Sequence, residues 1–262
     1  MYAAVAAQAF QAQLAYRGQV WAHVFGQLIQ VFFRIAIWIA VYRGLTTVDG
    51  VSLPEMITYA VLAGTVLGAW EWARLIQGLD AAISKGDIAV FLLRPLRYPL
   101  YLLAAECGNL LFRLLAVVLP IVLCVGYAYG LLPPQSAQHA LLFLPFWLLS
   151  FVLLFLLTLL FGLSAFWLMT AFSLEWLLQA LLTLLSGSFV PLWFFPDAWQ
   201  GAVRYLPFAW VSFYPVATYL GKLSPLQALG LLGLGACWAL VLTALVAWLW
   251  HRATLRISVQ GG

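Results

Sequence analysis

The sequence predicts an all-α, polytopic membrane protein with about six transmembrane helices, and three observations point there. Hydrophobic residues make up 66% of the 262 positions and charged residues only 8%, with a mean hydropathy of +1.03. Soluble domains carry about 25% charged residues because their surface faces water. The apolar residues fall into runs near the length that a helix needs to cross a bilayer core, about 20 residues at 1.5 Å each. The few charges cluster between these runs, where the chain would meet headgroups and water.

Taken in order, residues 1–20 alternate Ala, Val, Tyr and Phe with Gln in a rough helical pattern, which suits a helix lying in the cytoplasmic interface; a frayed tail is the plainer alternative. Gln8, Gln11, Gln13 and Arg17 interrupt any signal-peptide core, so this start is expected to be retained. The apolar runs cover approximately 22–43, 56–74, 100–128, 140–170, 172–194 and 226–250. Arg17, Arg74, Lys85, Arg94, Arg97, Arg252 and Arg256 flank one side, against Arg43, Arg204 and Lys222 on the other. The richer side is expected to be cytoplasmic, with both termini inside. No internal repeat is visible and no long linker divides the chain, so a single domain spanning residues 1–262 is expected. The net charge of +4 is explained by this orientation rather than by nucleic acid.

Three apolar runs carry a polar stripe. His23, Gln27, Gln30 and Arg34 follow i, i+4, i+7, i+11; Glu106, Asn109 and Arg113 follow i, i+3, i+7; Glu175 and Gln179 continue to Thr183 and Ser186. An ionised side chain in hydrocarbon costs several kcal/mol by most measures, roughly 3 on insertion scales, so these faces point at other helices, a partner subunit or a wet path. Two readings stay open. Arg34 or Arg113 could pair with Glu106 or Glu175 across helices, or the stripes could line a translocation route. Small residues also recur at packing spacing, at Ala60, Gly64 and Gly68 and at Gly230, Gly233 and Gly235.

Between the second and third runs, residues 78–98 form a loop of mixed charge. Leu79, Ala82, Ile83 and Gly86 fit a short amphipathic helix, Lys85 and Asp87 offer polar contacts, and Pro95 and Pro99 restrict the return to the membrane. Such a helix suits the docking of a soluble partner, although an ordinary anchored loop has the same composition. The segment 186–225 holds Pro191, Pro196, Pro207, Pro215 and Pro225 among many aromatics, so it cannot be one straight helix; broken or re-entrant helices, or an aromatic anchor belt, fit.

Cys107, Cys124 and Cys237 all lie in apolar runs, which offers neither a disulfide framework nor a metal cluster. His23, His139 and His251 are far apart and no H-E-x-x-H stands in the chain, which disfavours an intramembrane enzyme. An ion-coupled secondary transporter or channel would suit the stripes, but the missing repeat disfavours it.

The string ISKGDIAVFLLRPLRYPLY, residues 83–101, resembles the loop of bacterial ABC transporter permeases of the type-two export class, in a six-span branch with a Gly-Asp and Leu-Arg-Pro pattern. SGSFVPLWFFPDAWQGAVRYLPF, residues 186–208, is similar to the Pro-Leu-x-Phe-Phe-Pro and Leu-Pro-Phe elements before that branch's last span. The resemblance covers nearly the whole chain. It implies a permease subunit without its own ATPase, pairing with a second permease, identical or homologous, and engaging cytoplasmic ATP-binding subunits through the loop after span two. Lys85, Gly86, Asp87, Phe91, Arg94 and Pro95 are the residues expected to couple to them. Pro191, Trp193, Phe194, Phe195, Pro196, Pro207 and Phe208 are expected at an outer gate. The chain has no G-x-x-x-x-G-K-[ST] loop, so ATP and Mg are expected in the partner and no cofactor in this chain. A bacterial inner membrane is the expected location. The substrate is unread: aromatic and apolar walls suit a hydrophobic drug, lipid or peptide, but lipid contact selects the same residues.

Overall fold

The computed structural model describes residues 1–14, 17–93, 96–168 and 171–260. It is built almost wholly of helices, with one two-stranded hairpin, β1 (Thr47–Val48) against β2 (Val51–Ser52). Helix α1 (Tyr2–Leu14) is followed by α2 (Arg17–Val41), and the hairpin then leads to α3 (Leu53–Gly68). Glu55 fixes the start of α3: its carboxylate accepts from the Ser52 amide at 2.7 Å and the Ser52 hydroxyl at 2.9 Å, and Pro54 occupies the first turn, where a missing N–H costs nothing.

By length and composition, four helical stretches suffice to cross a membrane: Val20–Val41, Tyr98–Tyr129, Ala137–Leu168 and Pro225–Leu255. The run expected at 56–74 is instead two helices. The chain breaks at Ala69–Glu71 and resumes as α4 (Trp72–Ser84). Trp70 explains the break: its ring stacks on Phe151 at 4.2 Å and tilts against Trp147, and seating it there turns the chain out of the α3 helix. Arg74, counted at the end of a span in the sequence, therefore lies in the first turn of a helix.

α4 also absorbs residues expected in a separate loop helix. Leu79, Ala82 and Ile83 lie on α4, whose apolar face buries Leu75, Ile76 and Leu79 against a later helix, because that face is a continuous stripe only if the helix runs to Ser84. Gly86 ends the segment in the left-handed region, at φ +73°, and a separate short helix, α5 (Asp87–Leu92), follows with Asp87 at its positive end.

α6 (Tyr98–Arg113), a π-helical turn (Leu114–Val118) and α7 (Leu119–Tyr129) form one continuous stretch. α1 packs along α6, close enough that a Cβ on Gly108 would collide with the Ala6 carbonyl. Phe10 meets Phe112 edge to face, and Gln13 donates to Asn109 at 3.1 Å.

α8 (Ala137–Leu168) is the centre of the molecule. It is apolar all round, which fits a helix covered on several sides, and its buried residues run from Phe146 to Ala165. α4 packs on it at Gly162, whose missing side chain makes room for Leu79. α9 (Ala171–Leu185) ends nine residues before the expected 194, at the Ser186–Ser188 bend.

After α9 the chain makes a 3-10 turn (Leu192–Phe194), α10 (Asp197–Val203), a second 3-10 turn (Pro207–Trp210) and α11 (Phe213–Tyr219), and finishes with α12 (Pro225–Gln260). The second half of this broken segment is core rather than surface. Trp210 is fully buried and donates to the Leu231 carbonyl at 2.9 Å, and Ser150 donates to the Val211 carbonyl at 2.6 Å. The irregular backbone thus finds its partners inside the protein. Tyr59 of α3 donates to the Gly187 carbonyl, Lys222 pairs with Glu55 at 2.8 Å, and the Gln135 amide donates to the Tyr219 carbonyl, so this segment, the hairpin and the α7–α8 connection share one end of the bundle.

Candidate functional site

The polar stripe of α2 does not face open surface. His23, Gln27, Gln30 and Arg34 form one wall of a cleft of about 350 Å³. The opposing walls are Gly64, Leu67 and Gly68 of α3, Trp70 and Glu71 in the break, Trp72 at the start of α4, Gln179 and Thr183 of α9, and Ser188 and Phe189 beyond it. The small residues of α3 receive the polar stripe directly: a Cβ at Gly64 would lie 2.9 Å from the Arg34 guanidinium, and one at Gly68 2.7 Å from the Gln27 side-chain oxygen. Two patterns that are separate in the sequence are thus two sides of one contact. Gly235 also serves packing, against Trp210 and Leu149, whereas Gly230 and Gly233 face open space.

At one end of the cleft Arg34 donates to the Ser188 carbonyl at 2.9 Å, with its guanidinium 5.8 Å from the centre of the Phe189 ring. Gln179 donates to the Thr183 hydroxyl one turn on, at 2.9 Å. At the other end stands an ion cluster. Glu71 lies 2.6 Å from Arg74 and 2.9 Å from Arg113, whose side chain is almost wholly buried. Arg113 also reaches the Ala69 carbonyl at 3.5 Å, one of the acceptors that the break releases from the α3 ladder. His23 connects the two regions, lining both the cleft and a narrow gap beside Gln13, Glu71 and Arg113.

The stripe of α6 therefore meets a different acid from either expected one. Arg113 pairs with Glu71, while Glu106 accepts from Asn109 on its own helix at 3.0 Å and Glu175 accepts from Gln77 of α4 at 2.9 Å. Arg34 takes a backbone carbonyl in place of a carboxylate. Sequence reasoning passed over Glu71, Trp70 and Trp72, and used Arg74 only to orient the chain. Their signal was present, since Glu71 is the only acidic residue between positions 56 and 79 and lies between two tryptophans in an apolar run.

The residues expected to meet a soluble partner sit at the far end of α4. Lys85, Gly86 and Asp87 are exposed at its turn into α5, while Arg94 and Pro95 lie outside the described residues. Phe91 of α5 packs on Tyr98 and Tyr101 of α6 at 4.8 and 4.9 Å, and Tyr98 stacks on Trp250 of α12 at 5.3 Å. The residues expected at an outer gate divide. Pro191, Pro207 and Phe208 are buried; Trp193 meets Tyr59 edge to face and Phe194 stacks on Trp38; Phe195 is half-buried and Pro196 is exposed, capping α10.

Hydrogen-bonding side chains, one cation and aromatic edges equip the cleft to hold a polar group among apolar helices. Among the described residues no group of three or more His, Cys, Asp or Glu comes together to hold a metal ion. The family model described as ABC-2 family transporter protein matches residues 28–261. No curated protein and no solved structure matches the chain.

Proposed function

The chain belongs to the ABC-2 family of transporter proteins, as its membrane permease component, and we propose that it forms half of the substrate pathway of an ATP-driven exporter. In this reading a second permease, identical or homologous, supplies the other half, and two cytoplasmic ATP-binding subunits supply the energy. The chain crosses a bacterial inner membrane six times, with α3 and α4 as one broken crossing, α9 as a short one and both termini in the cytoplasm. The segment from Ser186 to Pro225 dips in from the outer side and closes the mouth of the pathway. α1 lies at the cytoplasmic border of α6.

The observation that carries this reading is the course of α4. One helix of 13 residues, about 20 Å long, joins the exposed Lys85–Gly86–Asp87 turn to Trp72 and Glu71 in the cleft wall. ATP can drive transport only through an element whose position differs between the nucleotide-bound and nucleotide-free states. A push on α5 would be delivered by α4 to the cleft, and by Phe91 through Tyr98 to α12.

The test is native mass and Mg-ATP hydrolysis of the protein purified from its host in nanodiscs. The expected result is two permeases with two ATP-binding subunits, in which Asp87→Lys or Gly86→Trp leaves insertion intact but separates ATP hydrolysis from transport. Unchanged transport in both variants removes the coupling role of this turn. A lone protein moving solute on an ion gradient replaces the reading with a secondary carrier.

A further inference from the structure

Away from the cleft, α6, α8 and α12 leave a groove of about 540 Å³ between them. Leu100 and Leu103 line it from α6, Phe155 and Leu159 from α8, and Val246 and Trp250 from α12. Its polarity is confined. The Thr243 hydroxyl donates to the Ala239 carbonyl of its own helix at 2.7 Å, which leaves Arg97 as the charged residue of the lining. Arg97 is exposed and precedes the first turn of α6, so its guanidinium and the positive end of a 16-residue helix stand at the same mouth.

We infer that this groove holds an acyl chain of an anionic phospholipid, with the phosphate-bearing headgroup bound at Arg97. Three features select this occupant. Among the described residues the walls are apolar along the groove and charged only at the end, which is the polarity of a single lipid. Tyr98 and Trp250 stack beside that end, the position aromatic side chains take at the headgroup level. Basic residues at the mouth of a gap between transmembrane helices recognise anionic headgroups. Because Tyr98 also carries Phe91 of α5, a lipid seated here would touch the same aromatic cluster that joins α5 to α12.

The full chain, with its co-purifying subunits, is stripped of lipid in detergent and given phosphatidylglycerol or phosphatidylcholine with identical acyl chains; retained lipid is counted by native mass spectrometry. One basic residue near a surface favours an anionic lipid by about fivefold, so a preference of about that size for phosphatidylglycerol is expected. Arg97→Gln abolishes the preference, Arg97→Lys keeps it, and Arg43→Gln at the opposite end leaves it unchanged. Ala247→Trp, which fills the groove, lowers retention of both lipids. Equal retention of the two lipids by the wild type, or an undiminished preference in Arg97→Gln, overturns the inference. So does an Ala247→Trp protein that keeps its lipid but loses its oligomeric mass, because the groove would then belong to a second copy of the chain.

Discussion

Arg113 of α6 and Glu71, in the break between α3 and α4, hold their charged atoms 2.9 Å apart inside an apolar bundle. The geometry is asymmetric. Arg74 also contacts Glu71 but is mostly exposed, so Glu71 keeps a cation if Arg113 is removed, whereas among the described residues Glu71 is the one carboxylate in ion-pair contact with Arg113. An isolated buried charge is the expensive outcome, at about 3–5 kcal/mol for one broken partner. Glu71→Gln is therefore expected to lower stability by about 3 kcal/mol. Arg113→Met should cost less, and the double variant should recover much of the loss. Thermal melting of all four proteins in nanodiscs checks the order, and a double variant worse than Glu71→Gln would mean that the pair does not carry the coupling.

Gln27 of α2 and Gln179 of α9 both line the cleft. If the cleft conducts substrate, Gln27→Leu and Gln179→Leu remove groups that bind the moving solute without adding a buried charge. Transport by the assembled complex is expected to fall about tenfold, the equivalent of one lost hydrogen bond to a polar or charged group, with the melting temperature shifted little. A large drop in melting with transport per folded complex unchanged would give these residues a packing role only.

The contact of α1 with α6 depends on Gly108, where any side chain would meet the Ala6 backbone. Gly108→Leu is expected to release α1 while leaving α6 helical. Amide hydrogen exchange over residues 2–14 should accelerate and that over 119–129 should not; equal protection in both proteins would show that α1 stays docked without this close approach.

Phe91 sits against Tyr98 and Tyr101, and Tyr98 against Trp250. Phe91→Ala removes the link on the α5 side and leaves the Tyr98–Trp250 stack in place. ATP hydrolysis is expected to persist while transport per ATP falls several-fold. Tyr98→Ala should do the same, and the two together should add nothing more, since each cuts one chain of contacts. Fully additive losses would mean that α5 acts by another route.

At the hairpin end, burial alone would raise the Glu55 carboxyl, but the Lys222 ammonium and the Ser52 hydroxyl and amide outweigh it and hold it below its ordinary value. A carboxyl depressed on folding contributes stability that is fully present above its unfolded value, near 4.5, and is lost as the pH falls through the lower folded value. Acidification below about pH 4.5 should loosen this end. Glu55→Gln should be less stable at neutral pH and lack this component of the acid dependence, as read by melting between pH 3 and 7.

The sequence by itself determined the all-helical membrane class, the approximate positions of the long apolar helices, the polar stripe of α2 and the small-residue stripe of α3. Each is a matter of local composition or of the 3.6-residue period, and the physics that sets them, hydrocarbon transfer and helix geometry, acts over one or two turns. The tertiary structure alone decided that the α2 and α3 stripes face each other, that Glu71 rather than Glu106 or Glu175 receives Arg113, and that the chain breaks at Ala69–Glu71. It also turned the second half of the Pro-rich segment into core. These outcomes depend on the axial offset and rotation of helices far apart in the chain. Trp70 seated between Trp147 and Phe151 of α8 fixes where α3 ends, and that end fixes which carboxylate lies level with Arg113. No window of sequence around Arg113 contains the Phe151 that sets its partner.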